Sequence, residues 1–230
     1  MALDPRKRQK KIERRKAKER DRKREQSRSD PRDLSVRLER AAAAPILHCC
    51  TIADLWSQGI GNVLVSRELA SGNVAFVVFL VDMYCLGVKN VIMDVASRST
   101  YDWKLYGKMF SRYKPVQLRP ECARKLVEGA VAYASDLGLA PYPEYHKAKL
   151  IFGDIDANIC TQEFFYGQDG KPLFVAGPHD TPARCQQIIR KLTDRCGGDG
   201  FHYLMPMAAG ALLRSLEDDD DDVLYLGGKS

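Results

Sequence analysis

The chain has 230 residues, 45% hydrophobic and 29% charged, with a formal net charge of +6. That composition supports a folded core and argues against a wholly disordered chain. The longest apolar stretch, Val74 to Val88, carries Asp82 in its middle and falls short of the roughly 18 to 20 residues of a membrane span; no apolar h-region marks the N-terminus as a secretory signal, so no membrane partner is expected.

The charge is unevenly distributed. Met1 to Arg40 hold 17 Lys and Arg against 8 Asp and Glu, a net of +9, whereas Ala41 to Ser230 hold 19 against 22, a net of −3. Between Arg6 and Arg28 only Ile12 and Ala17 are apolar. Glu13 with Lys16 and Glu19 with Lys23 have helical ion-pair spacing, but no apolar stripe exists, which excludes a coiled coil or a membrane-surface helix. Such an arm seeks a polyanion, and RNA is favoured over DNA. Lys7, Arg8, Lys10, Lys11, Arg14, Arg15, Lys16, Lys18, Arg20, Arg22, Lys23 and Arg24 are the expected phosphate contacts. With a near-neutral body behind it, the arm is expected to be the contact itself, not one edge of a larger basic face. An acidic protein is the alternative partner.

The body begins near Pro45. Ile46 to Ile52 is a strand or helix, and Ala53 to Gln58 a helical turn closed by Gly59. Asn62 to Leu69 and Val74 to Cys85 are β-prone and joined by Ser71-Gly72-Asn73, the composition of a hairpin. The run Val74 to Val81 is apolar at every position, as in a strand covered on both faces. Val91 to Val95 follows as a further strand, then a short aromatic helix with Trp103, Tyr106 and Phe110, capped by Ser99 or Thr100. Pro120 and Glu121 open the clearest helix, which Gly138 closes. A second hairpin is expected from Cys160 to Tyr166 and Leu173 to Ala176, around the Asp169-Gly170 turn. Thr181-Pro182 opens the last helix, with Cys185, Ile188, Ile189 and Leu192 inward. Strands joined mostly by tight turns predict an α+β fold, a single two-layer domain with an antiparallel or mixed sheet. The chain divides into a basic arm (1–40), a globular domain (41–216) and an acidic tail (217–230), whose Glu217 to Asp222 run is complementary to the arm.

Several residues are candidates for chemistry. Asp82 interrupts an apolar strand, where a bare carboxylate is costly and needs a partner. Asp154 and Asp156 would share one face of an extended segment. With Asp82 or Asp94 they form a candidate magnesium site for phosphodiester hydrolysis, so a metal-dependent nuclease or phosphohydrolase is the alternative function. No other cofactor is implied. Against this stand ordinary roles, a strand end for Asp82 and a turn for Asp154 and Asp156. His179 precedes a helix start, where backbone amides can meet a phosphate or Asp180 and Thr181 simply cap the helix. Seven cysteines without a CxxC pair fit buried thiols in a reducing cytoplasm.

The segment Val81-Asp82-Met83-Tyr84-Cys85-Leu86-Gly87-Val88-Lys89 resembles one in uncharacterised bacterial proteins. The resemblance extends from about Pro45 to Thr193, including Glu163 to Pro178. It implies one domain from Pro45 onward and assigns neither an activity nor a catalytic residue.

Overall fold

The computed structural model describes residues 31–178 and 180–205. Its centre is a five-stranded antiparallel sheet in the order β4-β3-β2-β1-β5. The strands are β1 (Ile46–Ile52), β2 (Ile60–Glu68), β3 (Asn73–Asp82), β4 (Gly87–Ser97) and β5 (Pro115–Gln117). The apolar run of β3 has the expected consequence: the strand lies inside the sheet, and Val74 to Val78 are buried along with Phe79 and Val81. β4 extends well beyond Val91 to Val95. It pairs along the whole of β3, and its polar Lys89 and Asn90 disguised the N-terminal end.

Helices cover one face of the sheet. These are α1 (Pro31–Ala41), a short α2 (Asp54–Gln58) and the long α3 (Pro120–Asp136), followed by α4 (Tyr145–Ala148) and a 3₁₀ turn at Lys149–Phe152. Their apolar sides meet Val63, Val65, Val77, Phe79 and Val81 in the main core. The folded part begins before Ala41, since Leu38 and Ala41 of α1 are buried there. α3 reads as its sequence suggests, with Pro120 in its first turn and Ala123, Leu126, Val127, Ala130 and Ala134 inward.

The opposite face carries a much thinner layer, the segment 98–110. Tyr101, Leu105, Tyr106, Met109 and Phe110 pack there on Cys50, Leu64, Val74, Phe76 and Val78. A third apolar cluster, including Cys85, Leu86, Leu137, Phe174, Cys185, Ile188 and Leu192, joins the end of α3 to α5 (Pro182–Cys196). The structure is thus a single α+β domain. Among the described residues no helix is long and apolar enough to cross a membrane.

Two expectations are corrected. The turn at Gln168–Lys171 forms, but Cys160 to Tyr166 is not a strand, and no second hairpin results. Instead β6 (Leu173–Val175) pairs in parallel with β7 (His202–Leu204), with α5 as the crossover between them. The local turn chemistry was legible, whereas β6 takes its partner from a segment remote in sequence. Second, the cysteines are not all thiols. Cys122 at the start of α3 is disulfide-bonded to Cys160, and the other five are free.

Candidate functional site

The four aspartates singled out by the sequence lie in four separate settings. Asp82 ends β3 and is wholly buried; its Oδ1 accepts hydrogen bonds from the amides of Tyr84 and Cys85, both 3.0 Å away, shaping the turn into β4. Gly87 closes that turn at φ 66°, and a Cβ there would lie 2.9 Å from the Ala130 carbonyl of α3. Asp82 Oδ2 has no hydrogen-bond partner. Burial pushes the carboxyl up to about 6, while the Lys89 charge and the backbone amides draw it down.

Asp94 sits on β4, the edge strand, and its Oδ1 accepts from the Val95 amide at 2.7 Å; Asn90 does the same for Val91 at 2.8 Å. Both side chains occupy edge amides that would otherwise invite a foreign strand. Asp154 follows the 3₁₀ turn that holds Arg67. That guanidinium is buried and donates to the carbonyls of Ala44, Ile151 and Phe152. Burial lowers its pKa, and the Asp154 charge opposes this. Asp156 caps a 3₁₀ turn at Ala157–Ile159, accepting from the amide and side chain of Asn158, each at 2.9 Å. The structure does not gather Asp82, Asp154 and Asp156 into one cluster. Among the described residues no group of three or more His, Cys, Asp or Glu is placed to hold a metal ion. His179 lies outside the described residues, while Thr181 caps α5 and Asp180 pairs with Arg184.

Two other constellations were not apparent from the sequence. The first is a cavity of about 580 Å³ whose lining includes Lys89, Arg184, Gln187, Lys191, Tyr142 and Ile188. Its cations are already engaged: Lys89 donates to the Val175 carbonyl, Lys191 to that of Gly138, and Arg184 pairs with Asp180.

The second is the layer at 98–114. Ser97 caps a turn at Arg98–Thr100, a π-helix follows over Tyr101–Tyr106, and Gly107–Met109 completes a continuous cap helix. The Gly107 amide donates to the Asp102 carbonyl, five residues back, and a Cβ on Gly107 would come within 2.9 Å of that oxygen. The glycine therefore permits the wide turn. The cap is pinned to the sheet by a polar network. The Tyr101 hydroxyl lies 2.8 Å from His48 Nδ1 and 2.9 Å from Ser66 Oγ, and the His48 ring stacks on Tyr106 at 4.2 Å. Burial raises the Tyr101 pKa, and burial followed by the Arg98 charge lowers that of His48. Both are held neutral near pH 7. Ser66 is wholly buried, so this is a latch and not an exposed nucleophile.

Outside the latch the cap is basic. Arg98, Lys104, Lys108, Arg112 and Lys114 are exposed, against the single carboxylate of Asp102. Arg98 is held by Asp102 at 2.9 Å and Glu68 at 3.0 Å. The other four have no ion pair among the described residues. Trp103, the residue before Lys104, is 80% exposed, and Tyr113, between Arg112 and Lys114 in the chain, is 48% exposed. The near-neutral average of the body thus conceals a local basic surface. A sequence window of this length, rather than the whole-body sum, would have found it. The arm residues Lys7 to Arg24 lie outside the described residues. No protein-family model, curated protein or solved structure matches the chain.

Proposed function

We propose that this is a cytoplasmic nucleic-acid-associated protein, RNA- or ribosome-associated, which grips the phosphate backbone through its basic arm. The observation that carries the reading is the net +9 confined to the first forty residues. Lys7, Arg8, Lys10, Lys11, Arg14, Arg15, Lys16, Lys18, Arg20, Arg22, Lys23 and Arg24 supply the charge. Phosphate contacts of this kind give affinity and register with little sequence reading. RNA is favoured because arginine-rich segments that order on binding are a recurrent mode of RNA recognition. The fold supports the reading in one respect. Helix α1, into which the arm runs, is anchored on the body through Leu38, and Arg37 donates to the Val95 carbonyl near the end of β4. In a reducing cytoplasm the Cys122–Cys160 pair would be held as thiols.

The test is fluorescence anisotropy on the full-length chain and on a variant with those twelve Lys and Arg changed to Gln. The arm is neutralised instead of deleted to Arg40, because α1 belongs to the core. If about 6 to 10 phosphates are engaged, the log–log salt slope on duplex DNA is about −5 to −9 and somewhat shallower on single strands. The Gln variant should lose about 100-fold or more in affinity and most of that slope. Equal, salt-insensitive binding by both proteins would refute the reading. Capture of a protein partner that survives nuclease treatment would favour an acidic protein in its place.

A further inference from the structure

We propose that the cap is a second, structured nucleic-acid contact, specific for single strands, in which a base stacks on Trp103 and Lys104, Lys108, Arg112 and Lys114 hold the adjoining phosphates. The inference rests on the nucleic-acid reading above and names the form of nucleic acid that the body takes.

Three observations converge on it. First, the exposure of Trp103 is a property of the helix, not of a frayed end. Residues 101, 105, 106, 109 and 110 turn toward the sheet, and residues 102–104, 107–108 and 111–114 turn to solvent. Trp103 is held on a helix pinned at Tyr101 and Tyr106 on either side of it. A large flat ring kept 80% in water on a fixed backbone is preorganised for a flat partner. Second, the other cations of the same exposed segment are uncommitted. Asp102, the one acid of the cap, is taken up by Arg98, which leaves four positive side chains facing solvent without an ion pair among the described residues. Third, the arm's anchor and the cap both meet the end of β4. Arg37 of α1 is bonded to Val95, and the cap starts three residues later at Arg98. Along α1, Pro31 lies six residues before Arg37, about 9 Å of helix.

The chemistry selects single strands. An indole offers a π-face to any base, and stacking of this type tolerates every sequence. Inside a duplex both faces of each base are already occupied by neighbours, which leaves the ring only the two end pairs to stack on. Four phosphates' worth of charge beside one aromatic platform is the pairing that single-strand binding surfaces use. The duplex retains only the phosphate term, which the arm already supplies.

The full-length chain is titrated with a labelled oligouridylate 12-mer and with a 12-base-pair RNA duplex, alongside Trp103→Ala, Trp103→Phe and a Lys104→Gln/Lys108→Gln/Arg112→Gln/Lys114→Gln variant. Trp103→Ala should weaken single-strand binding by about 5- to 100-fold and change duplex binding by less than about twofold. Trp103→Phe should recover most of the loss. The chain has two tryptophans, so a Trp56→Phe background isolates the Trp103 emission, which the 12-mer should quench. Within either background, unfolding midpoints should match among the Trp103 and cation variants, since those side chains are exposed. If Trp103→Ala binds the 12-mer as well as the parent while the neutralised arm variant does not, the cap inference is overturned and the arm reading stands. If Trp103→Ala weakens both ligands alike, stacking is overturned. Failure of the parent to bind either ligand would overturn the reading and the inference together.

Discussion

The two faces of the sheet are built on different principles. On the helical face, α1, α3 and the 145–152 segment bury Phe79, Phe152, Leu126 and Ile151 completely, with Phe79 and Phe152 stacked at 5.5 Å. The buried guanidinium of Arg67 is satisfied by three carbonyls. On the other face a single stretch of helix covers the strands, held as much by the His48–Ser66–Tyr101 network as by apolar contact. The thick layer keeps water out of the main core. The thin layer leaves its outer side close to the sheet and free to carry charge and an exposed indole. Buried apolar packing and exposed positive charge thus dominate opposite sides of one sheet.

The comparison breaks if the two layers contribute alike to stability. Phe152→Ala should cost about 3–5 kcal/mol in urea unfolding. Phe110→Ala, at the half-buried edge of the cap, should cost less than half of that. Equal costs would show that the cap is as much core as the helices are.

A smaller, pH-dependent effect is expected at the turn that ends β3. Burial raises the Asp82 pKa from 3.8 to about 6, so the folded state favours the neutral acid. Its stabilising contribution is complete below about pH 4 and is lost as pH rises through about 6. Asp82→Asn keeps an acceptor for the Tyr84 and Cys85 amides and has no such dependence. Between pH 4 and pH 7 the variant should gain on the parent by up to an order of 3 kcal/mol. Parallel stability–pH curves for the two proteins would show that Asp82 carries no such penalty.

The smallest effect sharpens the account of the latch. Tyr101→Phe removes one hydroxyl and leaves His48 Nδ1 and Ser66 Oγ without it. Ser66 Oγ keeps the amide and carbonyl of His48 as partners, so the expected loss is about 0.5–1.5 kcal/mol, that of one net hydrogen bond. Amide hydrogen exchange should quicken in residues 98–110 before it does in α3. Uniform quickening would mean that the latch serves the whole domain and not the cap.

Much of the fold was legible for local reasons. The unbroken apolar run of β3 demanded cover on both faces, Ser71-Gly72 marked its hairpin, and Pro120 with Gly138 bracketed α3. The functional residues were less legible. Asp82, Asp94, Asp154 and Asp156 looked alike in the sequence because a carboxylate announces the need for a partner but not which one. In the fold the partners are backbone amides for Asp82, Asp94 and Asp156, and the Arg67 charge for Asp154. The cap escaped notice because a body-wide sum of −3 averages away a short basic stretch.

By itself the sequence determined the arm's charge, the class of fold and the central strand, since composition and periodicity are properties of neighbouring residues. Tertiary structure alone decided the parallel pairing of β6 with β7, the Cys122–Cys160 contact and the outward stance of Trp103. Each of these depends on which distant surface a segment meets. Tyr101 and Tyr106 had to find the sheet before Trp103 could be turned to water.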